Sequence, residues 1–399
     1  LPGKRIPVSL TEGRAGLDVA PADRPIVLPP AQSNEAWPQP GGTARNAAGH
    51  VALGGSLRQV WSADAGKGSS SYGKLTASPI VADGRVFVLD TQGRVTAFSS
   101  GGSVAWRASV TPAGEKDHKG FGGGLAADGG RVFAATGFGH VVALDSQSGK
   151  KLWERNLSSP IRSSPTAADG RVFVVSSDGI ARALASADGA ELWVYQGIVE
   201  RAQLLTNASP AVSDDVAIMP YPSGEVVALR IKDGQPAWTE SLARTRLASS
   251  LGSMTDAARP VVDGGTVFAV GHSGRMVATS VKDGNRLWSL NVPGIQAPAV
   301  AGETVFVVDT AGQLMAITRR DGKILWTTKL PGTNTWSGPV LAGNRLWLTS
   351  NKGDLVGADA ATGKVDAKLN FGSPSYIAPI VAGGRLYVLT DAARLIAYN

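Results

Sequence analysis

The chain is written in short runs of Val, Ile, Leu and Phe separated by Gly-centred turns. Asp-Gly and Gly-Gly turns between such runs predict antiparallel hairpins, because glycine tolerates the positive φ that a tight hairpin turn demands. The pattern also repeats. Ser164-Pro165, Asp169-Gly170, Val172-Phe173-Val174, Asp178-Gly179, Ala183-Leu184, Asp188-Gly189 and Leu192-Trp193 return as Ala297-Pro298, Ala301-Gly302, Val305-Phe306-Val307, Ala311-Gly312, Ala316-Ile317, Asp321-Gly322 and Leu325-Trp326.

The opening proline recurs at Pro79, Pro165, Pro210, Pro260, Pro298, Pro339 and Pro379, and Gly124 stands at the one copy that lacks it, which makes eight starts. A closing tryptophan recurs at Trp106, Trp153, Trp193, Trp238, Trp288 and Trp326, whereas the seventh repeat ends near Val365 and Ala367 without one. Three turns per repeat predict four antiparallel strands. Four-stranded units at a period of about forty residues predict the blades of a β-propeller. Ala97, Ala143, Ala183, Ala228, Ala278, Ala316, Gly357 and Ala397 share one third-strand position, and the expected reason is close approach between stacked sheets.

The eighth repeat stops at Ala397-Tyr398-Asn399, after its third strand, and an orphan fourth strand precedes the first repeat at 57–61. The predicted fold is therefore all-β, an eight-bladed propeller closed by an N-terminal strand that completes the last blade. Residues 1–36 read as an extended or partly disordered tail and 37–399 as the propeller, with Ile6-Pro7-Val8 and residues 26–30 expected to lie along it. Trp336 and Trp347 fall outside the repeat register and are expected to be exposed.

Composition narrows the function. The net charge of +7 comes from residues scattered through turns, which argues against nucleic-acid binding, and no apolar stretch is long enough for a spanning helix. The absence of cysteine excludes disulfides, thiolate metal sites and a cysteine nucleophile in the chain as given. Leu1 stands first with no signal sequence before it, which reads as a processed or trimmed chain. His50, His118, His140 and His272 are isolated in sequence and are expected at the surface or at strand ends. Asp83, Asp169, Asp178, Asp188, Asp283 and Asp321 lie in turns, where side-chain to backbone bonding explains them. The tryptophans are expected to pack between sheets. No catalytic, cofactor-binding or metal-binding residues are assigned.

The repeat, written most fully as Ala143-Leu144-Asp145, Gly149-Lys150 and Leu152-Trp153, resembles the pyrroloquinoline-quinone-type propeller repeat. Quinoprotein dehydrogenases and the BamB family both carry it. Trp37-Pro38-Gln39-Pro40-Gly41-Gly42 and Gly3-Lys4-Arg5-Ile6-Pro7-Val8 resemble the BamB family, with the tail most similar to alphaproteobacterial members. That resemblance implies a non-catalytic, monomeric scaffold of the outer-membrane β-barrel assembly (BAM) complex without a cofactor. It implies the periplasmic (POTRA) domains of BamA as partner, and unfolded outer-membrane proteins as further candidates. It also implies a periplasmic site at the outer membrane, through a lipid on a cysteine that this chain does not contain. The alternative is a quinoprotein-like dehydrogenase or another periplasmic binding propeller.

The links from Trp193 to Pro210 and from Trp238 to Pro260 are long, flank one blade and carry Ile198, Val199, Leu204, Leu205, Leu247, Leu251 and Met254. Such apolar loops suit a protein-binding patch, unless they bury their own leucines. The family resemblance implies partner contacts on these same links. Leu204 matches one leucine of the family motif, Ala202 replaces the other, Leu205 stands where arginine is usual, Arg201 is displaced upstream, and Asp256 lies near the acidic position. The candidate partner-binding residues are thus Arg201, Leu204, Leu205, Met254 and Asp256.

Overall fold

A computed structural model describes residues 25–116, 120–198, 208–242, 257–272 and 274–399. Its 32 strands form eight four-stranded antiparallel sheets arranged as an eight-bladed propeller. Blades one to seven are each continuous in sequence, at residues 80–109, 123–156, 166–196, 211–241, 261–291, 299–329 and 340–370. Blade eight is composite: Ile380–Ala382, Arg385–Leu389 and Arg394–Tyr398 are completed by Gln59–Asp64. The closing strand therefore begins two residues later than the repeat spacing predicts and runs on to Asp64. Arg58 and Asn399 extend the pairing through reciprocal backbone bonds of 2.8 and 3.0 Å.

The hairpin chemistry follows the sequence. Asp83 and Gly84 adopt φ of 50° and 72°, and Asp169 and Gly170 adopt 51° and 72°, so both turn residues occupy the left-handed region that a type I′ turn requires. Several acidic side chains receive hydrogen bonds inside their own turns. Donors at Ser148, Gln235, Ser280 and Thr318 hold the carboxyls of Asp145, Asp233, Asp283 and Asp321 below the usual carboxylate range.

The recurrent small residue packs in one core cluster with the next blade, as for Ala143 with Ala167, Val172 and Leu184, and it has a second role within its own sheet. Ala143 lies opposite Phe133 on one side and Trp153 on the other, and the two rings meet with centroids 5.8 Å apart. The same triplet recurs as Phe87, Ala97 and Trp106, with centroids 5.6 Å apart, and as Phe173, Ala183 and Trp193, at 5.9 Å. A constraint therefore acts within the sheet as well: a larger middle side chain would separate the rings. Blade seven inverts the arrangement. Trp347 replaces the phenylalanine, Ala367 replaces the tryptophan, and the middle residue shrinks to Gly357. A Cβ on Gly357 would lie 2.9 Å from Trp347 and 3.1 Å from Ala367. Trp347, at 2 % exposure, and Trp336, at 5 %, are buried, contrary to the expectation from sequence.

Each closing tryptophan also holds the next blade. Trp106 Nε1 donates to the Ser146 carbonyl at 3.1 Å, and its ring covers Gly149, whose Cβ position lies 2.6 Å away. Trp153, Trp193, Trp238, Trp288 and Trp326 repeat this contact around the ring. Trp61 carries it from blade eight to blade one, at Ser100 and Gly102. Blade seven lacks the tryptophan, and its neighbour lacks the turn to receive one. In blade eight the third and fourth strands come from opposite ends of the chain, so no loop joins them.

Residues 34–51 cross the channel on the face of the Asp-Gly turns and bond the innermost strands. Trp37 exchanges two backbone bonds with Val81, while Ala127, Val212, Val262, Gly343 and Gly383 donate to carbonyls of this segment. Gln39 reaches Ala167 O at 2.7 Å, and Asn46 Nδ2 reaches Pro210 O and Pro260 O at 3.0 Å each. The segment thus satisfies inner-strand groups that would otherwise face the channel. Ahead of it, Ile26 and Leu28 pack against blades six and seven, as expected for an extended stretch; Ile6, Pro7 and Val8 lie outside the described residues.

Candidate protein-binding face and channel mouth

Arg201, Leu204, Leu205, Met254 and Asp256 all lie outside the described residues, as do Val199, Leu247, Leu251 and His118. The points at which their two links leave and rejoin the propeller are described. The first link departs past Gly197, whose amide donates to Gly179 O at 2.8 Å and whose Cα packs against the buried Tyr221 ring. Burial, with Tyr195 and Glu225 nearby, raises the Tyr221 phenol. Ile198 follows at 54 % exposure, a large apolar side chain directed to solvent as the sequence suggested. The link rejoins at Ala208–Pro210. The second departs from buried Leu242, bonded to Gly224 O at 2.8 Å, and rejoins where Ala258 N meets Val270 O at 2.8 Å.

Ala208 and Arg259, one at the return of each link, line the same cavity of about 370 Å³ at the channel mouth. The return points of the two links therefore lie on the rim of one opening. Leu75, Ile295, Tyr376 and Ile377 contribute apolar wall, while Lys74, Thr335 and Asp391 contribute polar groups. On the far side, Arg259, Gln296, Ala297 and Ala378 border a smaller space closed by Trp37, Pro40, Gly41 and residues 46–49. The opening is consequently a blind cup whose far end is the crossing segment.

Sequence reasoning missed this cup and its arginine. The signal was present in the residue before the opening proline, which is Ser78, Ser164, Ser209, Ala297, Gly338 or Ala378 in six repeats and Arg259 in one. Histidine placement was also misjudged. His50 is buried, with Nδ1 2.7 Å from Pro29 O and Nε2 accepting from Asn344 N at 3.1 Å, so it ties the crossing segment to blade seven. His140 does stand at a strand start, 2.7 Å from Glu154, and His272 is half-buried. Among the described residues, no three His, Asp or Glu side chains are grouped to hold a metal ion, and no helix is long and apolar enough to cross a membrane.

The outer membrane protein assembly factor BamB family matches residues 48–117, 91–328 and 320–399. BamB of Salmonella typhimurium is 32% identical over 237 residues, covering 57% of this chain and 59% of that protein. BamB of Nitrosomonas eutropha is 25% identical over 213 residues, covering 53% and 50%. These alignments span about half to three-fifths of the curated relatives. Among solved structures, BamB from Moraxella catarrhalis superposes with a TM-score of 0.74 at 19% identity, over 86% of this chain and 100% of that one. A europium-containing methanol dehydrogenase reaches 0.73 at 15% identity, over 89% of each. Likeness at these identities speaks to the fold and not to the chemistry. The repeat, its chain of docking tryptophans and a family match running from residue 48 to the last residue together place this chain in the outer membrane protein assembly factor BamB family.

Proposed function

We propose that this protein is a non-catalytic scaffold of the outer-membrane β-barrel assembly complex, binding the periplasmic domains of BamA at the periplasmic face of the outer membrane. Membership of the BamB family carries the reading. The relatives are named for outer membrane protein assembly; the return points of two links with apolar sequences lie on one rim, and Ile198, where the first departs, is exposed. Partner contact through Arg201, Leu204, Leu205, Met254 and Asp256, lipid attachment through a cysteine supplied upstream, and action as a monomer belong to the same proposal.

A quinoprotein-like oxidation is the second reading, favoured only by the fold it shares with the methanol dehydrogenase. Two assays separate them. The scaffold reading expects the protein to co-purify with BamA from detergent-extracted membranes of its own bacterium. It also expects no alcohol oxidation when pyrroloquinoline quinone, calcium and a dye acceptor are supplied. Saturable turnover without BamA co-purification would reverse the assignment.

A further inference from the structure

Arg259 occupies a ring position held elsewhere by Ser, Ala or Gly, and it lines the channel-mouth cavity together with the equivalent Ser78, Ala297 and Ala378. Among the described residues no carboxylate forms an ion pair with it, and its buried Nε has no hydrogen-bond partner. Burial lowers its pKa to about 10, and no acidic group among the described residues acts in the other direction. Arg259 is half-buried by surface exposure; partial removal of a guanidinium from water without a counterion carries a cost, and a fork of N–H donors is suited to a planar carboxylate.

The surroundings favour an anion over a cation. Lys74 adds a second positive charge to the wall. Asp391, whose Oδ1 accepts from the Ser69 hydroxyl, is the one carboxylate on the described wall, against the two cationic groups. Gln296 spends its Oε1 on the Gly338 amide at 3.1 Å, which leaves its Nε2 as a donor at the cavity edge. Leu75, Ile295 and Ile377 supply an apolar wall, and the volume is at the small end of the range for small-molecule sites, about 300–1,000 Å³.

We propose that the channel mouth is a binding site for a small organic carboxylate, with Arg259 holding the carboxylate and the apolar wall holding its body. The site lies on the rim to which both partner-contact links return, and its ligand is tested on the isolated protein with no BamA present.

Benzoate is the probe, benzamide its neutral counterpart and inorganic phosphate an anion without an apolar body. Calorimetric titration at low ionic strength is expected to show saturable benzoate binding, at least tenfold weaker binding of benzamide and phosphate, and at least tenfold weaker benzoate binding by Arg259→Gln. Lys74→Gln is expected to weaken benzoate by a smaller factor, since Lys74 is exposed. Equal affinity for benzoate and benzamide, or no saturation by the wild-type protein, would overturn the proposal without touching the BamA reading. That comparison needs no variant and stands even if Arg259→Gln fails to fold.

Discussion

Trp61 lies opposite Ala397 in the sheet of blade eight and sends its Nε1 proton to the carbonyl of Ser100 at 3.0 Å in blade one. A residue that precedes every repeat therefore binds the last blade and the first. Trp61→Ala should lower unfolding free energy by about 3 kcal/mol, the scale of large aromatic truncations. Removing residues 1–62 should destabilise the protein far more than removing residues 1–30. Thermal unfolding of the two truncations checks this, and coincident transitions would contradict closure by this strand.

Blade seven offers a test of the aromatic triplet. Gly357→Ala should cost about 1–3 kcal/mol, because the added methyl meets both the Trp347 ring and Ala367. Adding Trp347→Phe should recover part of the loss, since alanine beside phenylalanine is the arrangement of other blades, although the Trp347 Nε1 bond to Ala342 O at 3.1 Å is lost. A double-mutant cycle from denaturant unfolding measures the coupling. Additive losses would show that the small residue has another cause.

The crossing segment should behave as part of the propeller. Asn46 is buried and serves Ser209 O, Pro210 O and Pro260 O, so Asn46→Ala leaves carbonyls of blades four and five without that donor. A loss of about 2 kcal/mol is expected, with faster amide hydrogen exchange at Val212 and Val262, which donate to the adjoining Ala44 and Arg45 carbonyls. Unchanged exchange there would separate the segment from blade stability.

One surface pair gives a pH signature. Arg345 forms a two-pronged bond to Asp366, at 2.8 and 2.9 Å, and that hydrogen bond holds the Asp366 carboxyl below its ordinary value of 3.8. A carboxylate depressed on folding stabilises the protein above its unfolded pKa, and the contribution fades as pH falls through the folded one. Asp366→Asn should therefore cost about 0.5 kcal/mol at neutral pH, discounted for solvent screening, and the gap should close as acid unfolding is followed below 3.8. A gap independent of pH would assign the loss to packing.

Much of the architecture could be read from the sequence because the repeat writes its strand ends, its turns and its closing tryptophans locally. The missing tryptophan near Ala367 was visible, and its reason was not, since that depends on blade eight lacking a connection between its third and fourth strands. Trp347 looked out of place because its partner is Gly357 across a strand pair. Gln39 and Asn46 gave no local signal at all, as their acceptors lie 88–128 and 163–214 residues away. Arg259 was legible as a departure from the repeat, but its meaning required knowing that the equivalent positions converge on one channel.

The proposed binding of BamA by the link face is tested by titrating the protein against the periplasmic domains of BamA from the same bacterium. Wild-type protein should bind with saturable heat. A folded Leu204→Asp, Leu205→Asp variant should bind several hundredfold more weakly, because two apolar anchors of about 2 kcal/mol each would be lost. Wild-type affinity in that folded variant would contradict the placement of the contact on these links, and the absence of wild-type binding would contradict the scaffold account itself.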